Sequence, residues 1–304
     1  MRTRVPVNPR RSTLRLLLVS SAIALSGCHP RTEEAKRLTR SCESGDAAAC
    51  STLAIRLQKG DHVLRDEMRA ATLFERACTG GIGEGCANLG VAYQGGRGVK
   101  RDSARAVNLF REGCERNAME GCSRLGVLYR QGRGVTQDLA RAVTLFQQSC
   151  AGGDVLGCAH LGTLHASGEG VPQDFVRASD LLQRSCKEEV ALGCLGLGRL
   201  HATGNGVPRN DSAAAALYRR SCNGGEVEGC FQHAKVLEVG LGVPPNVDWA
   251  LSLYREACDD RHGEACARAA LMYERFRNPE RAAAFRRRAC EYAYVEACPK
   301  AKGA

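Results

Sequence analysis

Apolar and polar positions along this chain repeat every 36 residues, and cysteine marks the period. Eight cysteine pairs each stand eight residues apart: Cys42 with Cys50, Cys78 with Cys86, Cys114 with Cys122, Cys150 with Cys158, Cys186 with Cys194, Cys222 with Cys230, Cys258 with Cys266, and Cys290 with Cys298. Successive pairs start 36 residues apart six times, then 32 apart once. With the first cysteine as position 0, six units from Cys42 to Ala257 align without a gap. Position 28 is always alanine (Ala70 to Ala250), position 31 always leucine (Leu73 to Leu253), and position 32 is Phe74, Phe110, Phe146, Leu182, Tyr218 or Tyr254. Spacings of three, four and one place these on one face of a helix. Asp66, Asp102, Asp138, Asp174, Asn210 and Asn246 stand at position 24, where a short polar side chain accepts from an orphan amide and starts that helix.

A second helix per unit carries the second cysteine in its first turn. Its position 11 is mostly leucine, position 12 is Gly or Ala, and position 15 is Leu57, Tyr93, Tyr129, His165, His201 or Leu237. A small residue inside a helix costs propensity, so it belongs where another element comes close. Position 18 is glycine from Gly60 to Gly240, and five units continue Gly-x-Gly-Val, as in Gly96-Arg97-Gly98-Val99. Glycine supplies the left-handed angles that end a helix. The seventh unit keeps Ala270 and Tyr273, loses four residues in the turn, and resumes at Asn278, Ala282 and Phe285. A short helix from about Glu33 to Cys42 caps the other end. The reading is all-α: an α/α superhelix, or solenoid, of about seven helical hairpins.

Two disulfide schemes fit helix ends that share one edge of the stack. One joins cysteines eight apart; the other joins helices within a hairpin, from Cys50–Cys78 to Cys266–Cys290. The second strands Cys42 and Cys298 at opposite ends, whereas the first leaves none over, so the eight-residue pairing is expected. Seventeen cysteines suit an oxidising compartment.

Cys28 is the one outside the repeat. It follows Arg2, Arg4, Arg10, Arg11 and Arg15 and the apolar run Leu16 to Ala24, a charged n-region and an h-region too short to span a bilayer permanently. Leu25-Ser26-Gly27-Cys28 resembles the lipobox of bacterial lipoproteins. The resemblance implies acylation of Cys28 and anchoring on the periplasmic side, and His29 rather than Asp implies the outer membrane. The expected organisation is a signal peptide over 1–27, a lipidated tether with cap helix over 28–41, the solenoid over 42–298 and a tail over 299–304. Losing five arginines halves the formal charge of +10. Acids intersperse the remaining arginines and no basic run sits among aromatics, so nucleic acid is not an expected partner.

Leu89-Gly90-Val91-Ala92-Tyr93, Gly96-Arg97-Gly98-Val99, Asp102, Arg105-Ala106 and Leu109-Phe110 resemble the Sel1-like repeat, a tetratricopeptide-like family. A cysteine pair in every unit is similar to the Helicobacter cysteine-rich branch. The family implies an adaptor or scaffold; that branch also implies penicillin binding or weak β-lactamase activity, the alternative function. For that chemistry the chain has no Ser-x-x-Lys, Ser-Asp-Asn or Lys-Thr-Gly. It also lacks His-Glu-x-x-His and Cys-x-x-Cys. No catalytic residue, metal site or cofactor is assigned. His165 and His201 read as spacers at the tyrosine position. The candidate ligand face is position 10 of the helix that carries the second cysteine, a polar row that differs between units: Asn88, Arg124, His160, Gln232 and Arg268. The expected partner is a protein or peptide of the cell envelope, bound by a monomer.

Overall fold

The computed structural model describes residues 30–298. Among them are fifteen α-helices, one short 3-10 turn (Val295–Ala297) and no strand. A capping helix α1 (Pro30–Glu43) precedes seven hairpins. Their first helices are α2 (Ala47–Lys59), α4 (Gly83–Gly95), α6 (Met119–Gln131), α8 (Val155–Ser167), α10 (Ala191–Thr203), α12 (Val227–Val239) and α14 (Gly263–Arg275). Their second helices are α3 (Glu67–Thr79), α5 (Ser103–Glu115), α7 (Leu139–Ala151), α9 (Phe175–Lys187), α11 (Asp211–Asn223), α13 (Val247–Asp259) and α15 (Pro279–Glu291).

Local chemistry sets these boundaries. Asp66, Asp102, Asp138, Asp174, Asn210, Asn246 and Asn278 each cap a second helix, accepting from the amide three residues on. At the far end of the first helices, Gly60, Gly96, Gly132, Gly168, Gly204 and Gly240 all take left-handed angles. The core follows the repeat: Phe74, Phe110, Phe146, Leu182, Tyr218 and Tyr254 are 0–4% exposed. Burying such a side chain contributes roughly 1.5–3 kcal/mol. The leucines at position 31 divide instead. Leu73, Leu109 and Leu253 are buried, while Leu145, Leu181 and Leu217 are half-buried at the edge of the apolar stripe.

The disulfides follow the eight-residue scheme, with Cα separations of 4.3–4.9 Å. Cys42 bonds to Cys50, Cys78 to Cys86, Cys114 to Cys122 and Cys150 to Cys158. Cys186 bonds to Cys194, Cys222 to Cys230, Cys258 to Cys266 and Cys290 to Cys298. The second members Cys122, Cys158, Cys194 and Cys230 all lie buried in the first turn of α6, α8, α10 and α12. Each bridge between hairpins therefore ties the end of one to the start of the next. Arginines reinforce the seam: Arg76 donates to the Cys42 carbonyl at 2.8 Å, Arg220 to that of Cys186 at 2.6 Å and Arg288 to that of Cys258 at 3.2 Å.

The direction of curvature follows from which helices meet. Successive first helices touch: α4 with α6, α6 with α8, α8 with α10, and α10 with α12. No contact of comparable extent joins successive second helices. The elements that crowd together lie inside the curve, so the first helices line the concave face. The second helices splay outside and leave grooves between hairpins.

Candidate functional site

Positions 6, 10 and 13 of the first helices fall on one helical face, spaced four and three apart. Position 6 supplies Glu84, Glu120, Glu228 and Glu264, with Leu156 and Leu192 in the middle units. Position 10 is the expected ligand row, and the structure sets its members on successive inner helices, all half-buried. Gly196 interrupts the row for a packing reason. A Cβ there would lie 2.6 Å from Leu182 Cδ2, and one at Gly162 would lie 2.8 Å from Leu182 Cγ. Leu182 wedges between α8 and α10, and the two glycines make room for it.

Several members of the row are held by internal partners. Arg124 donates to Glu120 at 2.6 Å, one turn away on the same helix. His160 stacks on Phe146 with ring centroids 4.8 Å apart, and its Nδ1 is sealed without a partner. Burial, then the charge of Arg130, pushes its pKa down to about 4, so it is neutral at pH 7. Gln232 donates to Glu228 at 2.7 Å. Asn88 makes no side-chain hydrogen bond among the described residues, and Arg268 forms no ion pair there. Arg268 lines a cavity of about 410 Å³ with Glu264, Leu271, Arg286, Tyr294 and Glu296. Val91 and Val127, at position 13, pack partly against the core.

The most heavily engaged group on this face escapes a reading of single rows. Glu228 accepts from Arg199 of α10 at 2.6 Å, from Gln232 at 2.7 Å and from His262 at 3.0 Å. His262 Nδ1 accepts from the Ala265 amide at 3.1 Å, so Nε2 carries the proton and donates to Glu228. The imidazole also stacks on Phe231 at 4.5 Å. Burial alone would raise the Glu228 pKa; the donors from His262, Gln232 and Arg199 outweigh it and hold it at about 2. This node locks three consecutive inner helices together. Its i, i+4 component, Glu228 with Gln232, is visible in sequence, as is Glu120 with Arg124. Its reach to residue 262 is not.

The remaining candidates behave as spacers or staples. His165 is 6% exposed with both ring nitrogens unpartnered, and His201 places Nδ1 3.2 Å from the Pro208 carbonyl. Among the described residues, the one cluster of metal-ligating types is Cys78, Cys86 and Glu112, and both sulfurs are spent in a disulfide. Ser149 and Ser185 donate to helix carbonyls, which leaves neither poised as a nucleophile. No described helix is long and apolar enough to cross a membrane. Cys28 lies outside the described residues. The inner face thus offers a preset, half-buried polar surface suited to contact.

Comparisons with known proteins agree with this architecture. The Sel1 repeat model matches residues 47–82, 83–117, 120–154, 155–189, 191–226 and 227–262. It does not extend over the shortened seventh hairpin. No curated protein matches the chain. Among solved structures, a protective antigen of uropathogenic Escherichia coli with an SLR fold is 27% identical, with a TM-score of 0.60. The alignment covers 86% of this chain but only 57% of that one, so this chain spans little more than half its length. A Sel1 repeat protein of Oxalobacter formigenes is 20% identical over 74% of this chain and 96% of its own, at a TM-score of 0.62. Helicobacter pylori cysteine rich protein B is 26% identical over 42% of this chain and 96% of its own, at a TM-score of 0.36. With six matched repeats over most of its length, the chain belongs to the Sel1 repeat family.

Proposed function

We propose that this protein is a lipid-anchored scaffold of the bacterial cell envelope that binds a protein or peptide partner on the inner face of its superhelix. Sel1 repeat proteins are protein-binding repeat proteins, and this one's helical array extends across the described residues. The observation that carries the reading is the inner face itself. Its polar side chains are fixed beforehand by the Glu120–Arg124 pair and the Glu228 node, which lowers the entropy lost on binding. Eight disulfides support folding in an oxidising, exported compartment. The lipobox-like Leu25-Ser26-Gly27-Cys28 supports acylation of Cys28 and attachment on the periplasmic side, at the outer membrane. Helix α1 takes up nearly all of the thirteen residues between Cys28 and Cys42 and spans only about 20 Å of them, which keeps the array near its membrane, where it acts as a monomer.

The test compares crosslinked partners of the parent protein with those of an R124E/R268E variant, both oxidised and membrane-bound. The reading expects specific partners of the parent to be lost from the variant. Identical recovery discards the inner face. In a Cys28→Ser variant, the protein is expected to leave the membrane fraction; retention there discards the anchor.

A further inference from the structure

Three of the seven hairpins set an arginine over a tyrosine on their outer side, and the sixth has an apolar pair at the same two positions. In three units a tyrosine at position 15 is covered by an arginine from the following second helix. Arg105 lies 4.5 Å over the Tyr93 ring, Arg141 5.5 Å over Tyr129, and Arg281 5.5 Å over Tyr273. In the sixth unit the tyrosine is replaced by Leu237 and the arginine by Trp249, and the facing helix α11 begins Asp211-Ser212-Ala213-Ala214-Ala215-Ala216. Small side chains on one wall and an indole on the other leave a pocket of about 260 Å³. Ala216, Leu237, Val243 and Trp249 give it an apolar interior, and Arg219 stands among its lining residues.

Two features mark it as more than a packing gap. His233, on the floor, is 3% exposed and packs edge-on against Trp249 at 5.0 Å; it makes no hydrogen bond, and its ring nitrogens are not among those sealed inside the protein. Its nitrogens are therefore open to a hydrogen-bonding group that enters the pocket. Arg219 is exposed and forms no ion pair among the described residues, so the pocket has an apolar interior beside one cation free to pair. Its volume lies below the roughly 300 Å³ at which small-molecule pockets begin, so it suits one large side chain.

We propose that this pocket is a second binding site, separate from the inner face, that takes the C-terminal residue of a peptide or protein partner. A bulky apolar terminal side chain fills the space between Ala216, Leu237 and Trp249. The terminal carboxylate pairs with Arg219. His233, with one donor and one acceptor nitrogen when neutral, meets the last amide.

Trp249 is the sole tryptophan of the chain and is 43% exposed, so it reports directly. The full oxidised protein is titrated with acetyl-Ala-Ala-Leu bearing a free carboxylate, and separately with its C-terminal amide. The expected result is a saturable blue shift of Trp249 emission with the acid, and roughly tenfold weaker binding of the amide. An Arg219→Gln variant erases that difference. An Ala216→Leu variant, its helicity checked by circular dichroism, loses the response to both peptides. An unchanged emission at millimolar acid, equal binding of acid and amide, or an acid preference that survives in R219Q each overturns the proposal. So does a response abolished by R268E but not by R219Q, which would move the peptide to the inner face. If A216L fails to fold, the acid and amide comparison with R219Q decides alone.

Discussion

Gly90, in the middle of α4, is explained by a phenyl ring. A Cβ at that position would stand 2.7 Å from Cε1 of Phe110, which is itself fully buried. The same pairing recurs as Gly126 with Phe146, Gly162 with Leu182 and Gly198 with Tyr218. Alanine is the better helix former by about 1 kcal/mol, so Gly90→Ala would stabilise an open helix. Here overpacking of about 1–3 kcal/mol opposes that gain, and net destabilisation in a denaturant titration is expected. Gly95→Ala, on the same helix with nothing nearer than 3.4 Å, is the control and should be neutral or stabilising. Gly98 differs again: at φ 68° it lies over the Glu67 carbonyl of the preceding unit, and an added Cβ would run into that backbone. Sequence foretold its angles but not its neighbour.

Titrating residues give a pH signature whose sign is fixed. His160 and His233 both have pKa values lowered from 6.5 to about 4, chiefly by burial. The unfolded chain therefore binds those protons first, and stability present above pH 6.5 is lost as pH falls toward 4. Glu228, lowered from 4.5 to about 2, adds stability above pH 4.5 that is lost on the way down to 2. Thermal midpoints followed from pH 7 to pH 3 should fall through both windows. His160→Leu should flatten the upper window and Glu228→Gln the lower; unchanged slopes in both variants would contradict this assignment. The position 10 row was legible as polar and variable. What it could not reveal was that Arg199 and His262 also converge on Glu228, because those contacts come from neighbouring hairpins.

At the scale of elements, the second helices were legible almost to the residue because each carries its own start signal, the Asp or Asn cap. The first helices announce themselves less well. Ile82, Ala118, Val190 and Glu226 precede four of them and offer no side-chain cap. There the start is imposed by the connecting turn, in which Gly81 donates to Cys78 O and Ile82 to Ala77 O, closed by the adjoining disulfide. The glycine just before the second cysteine belongs to this device, since a Cβ at Gly85 would meet the Cys78 amide at 2.9 Å. Each bridge closes a short loop and contributes roughly 2–3 kcal/mol on a chain-entropy model. The position of the lost bridge should then matter. A variant with Cys150→Ala and Cys158→Ala breaks the stack in its middle, so hydrogen exchange should show weakened protection on both sides of residue 150. A variant with Cys290→Ala and Cys298→Ala should lose protection in α15 alone. Identical exchange in the two variants would count against the staples acting locally.

For the molecule as a whole, the superhelix was readable because its rule is local: every unit packs on the next through the same positions. That it curves was implied by the tetratricopeptide-like resemblance, but the crowding of α8 on α10 around Leu182 needed coordinates. The outer pocket at Trp249 was hidden for a related reason. It is set by Trp249 and the alanines of α11, residues of two hairpins that meet only in space. Hairpins are fastened to their successors one seam at a time. Mass mapping of proteolytic fragments from the non-reduced protein tests it most directly. The account predicts eight bridges, from Cys42–Cys50 to Cys290–Cys298, with all sixteen of these cysteines oxidised. A bridge within a hairpin, such as Cys50–Cys78, or free thiols among the sixteen, would contradict it.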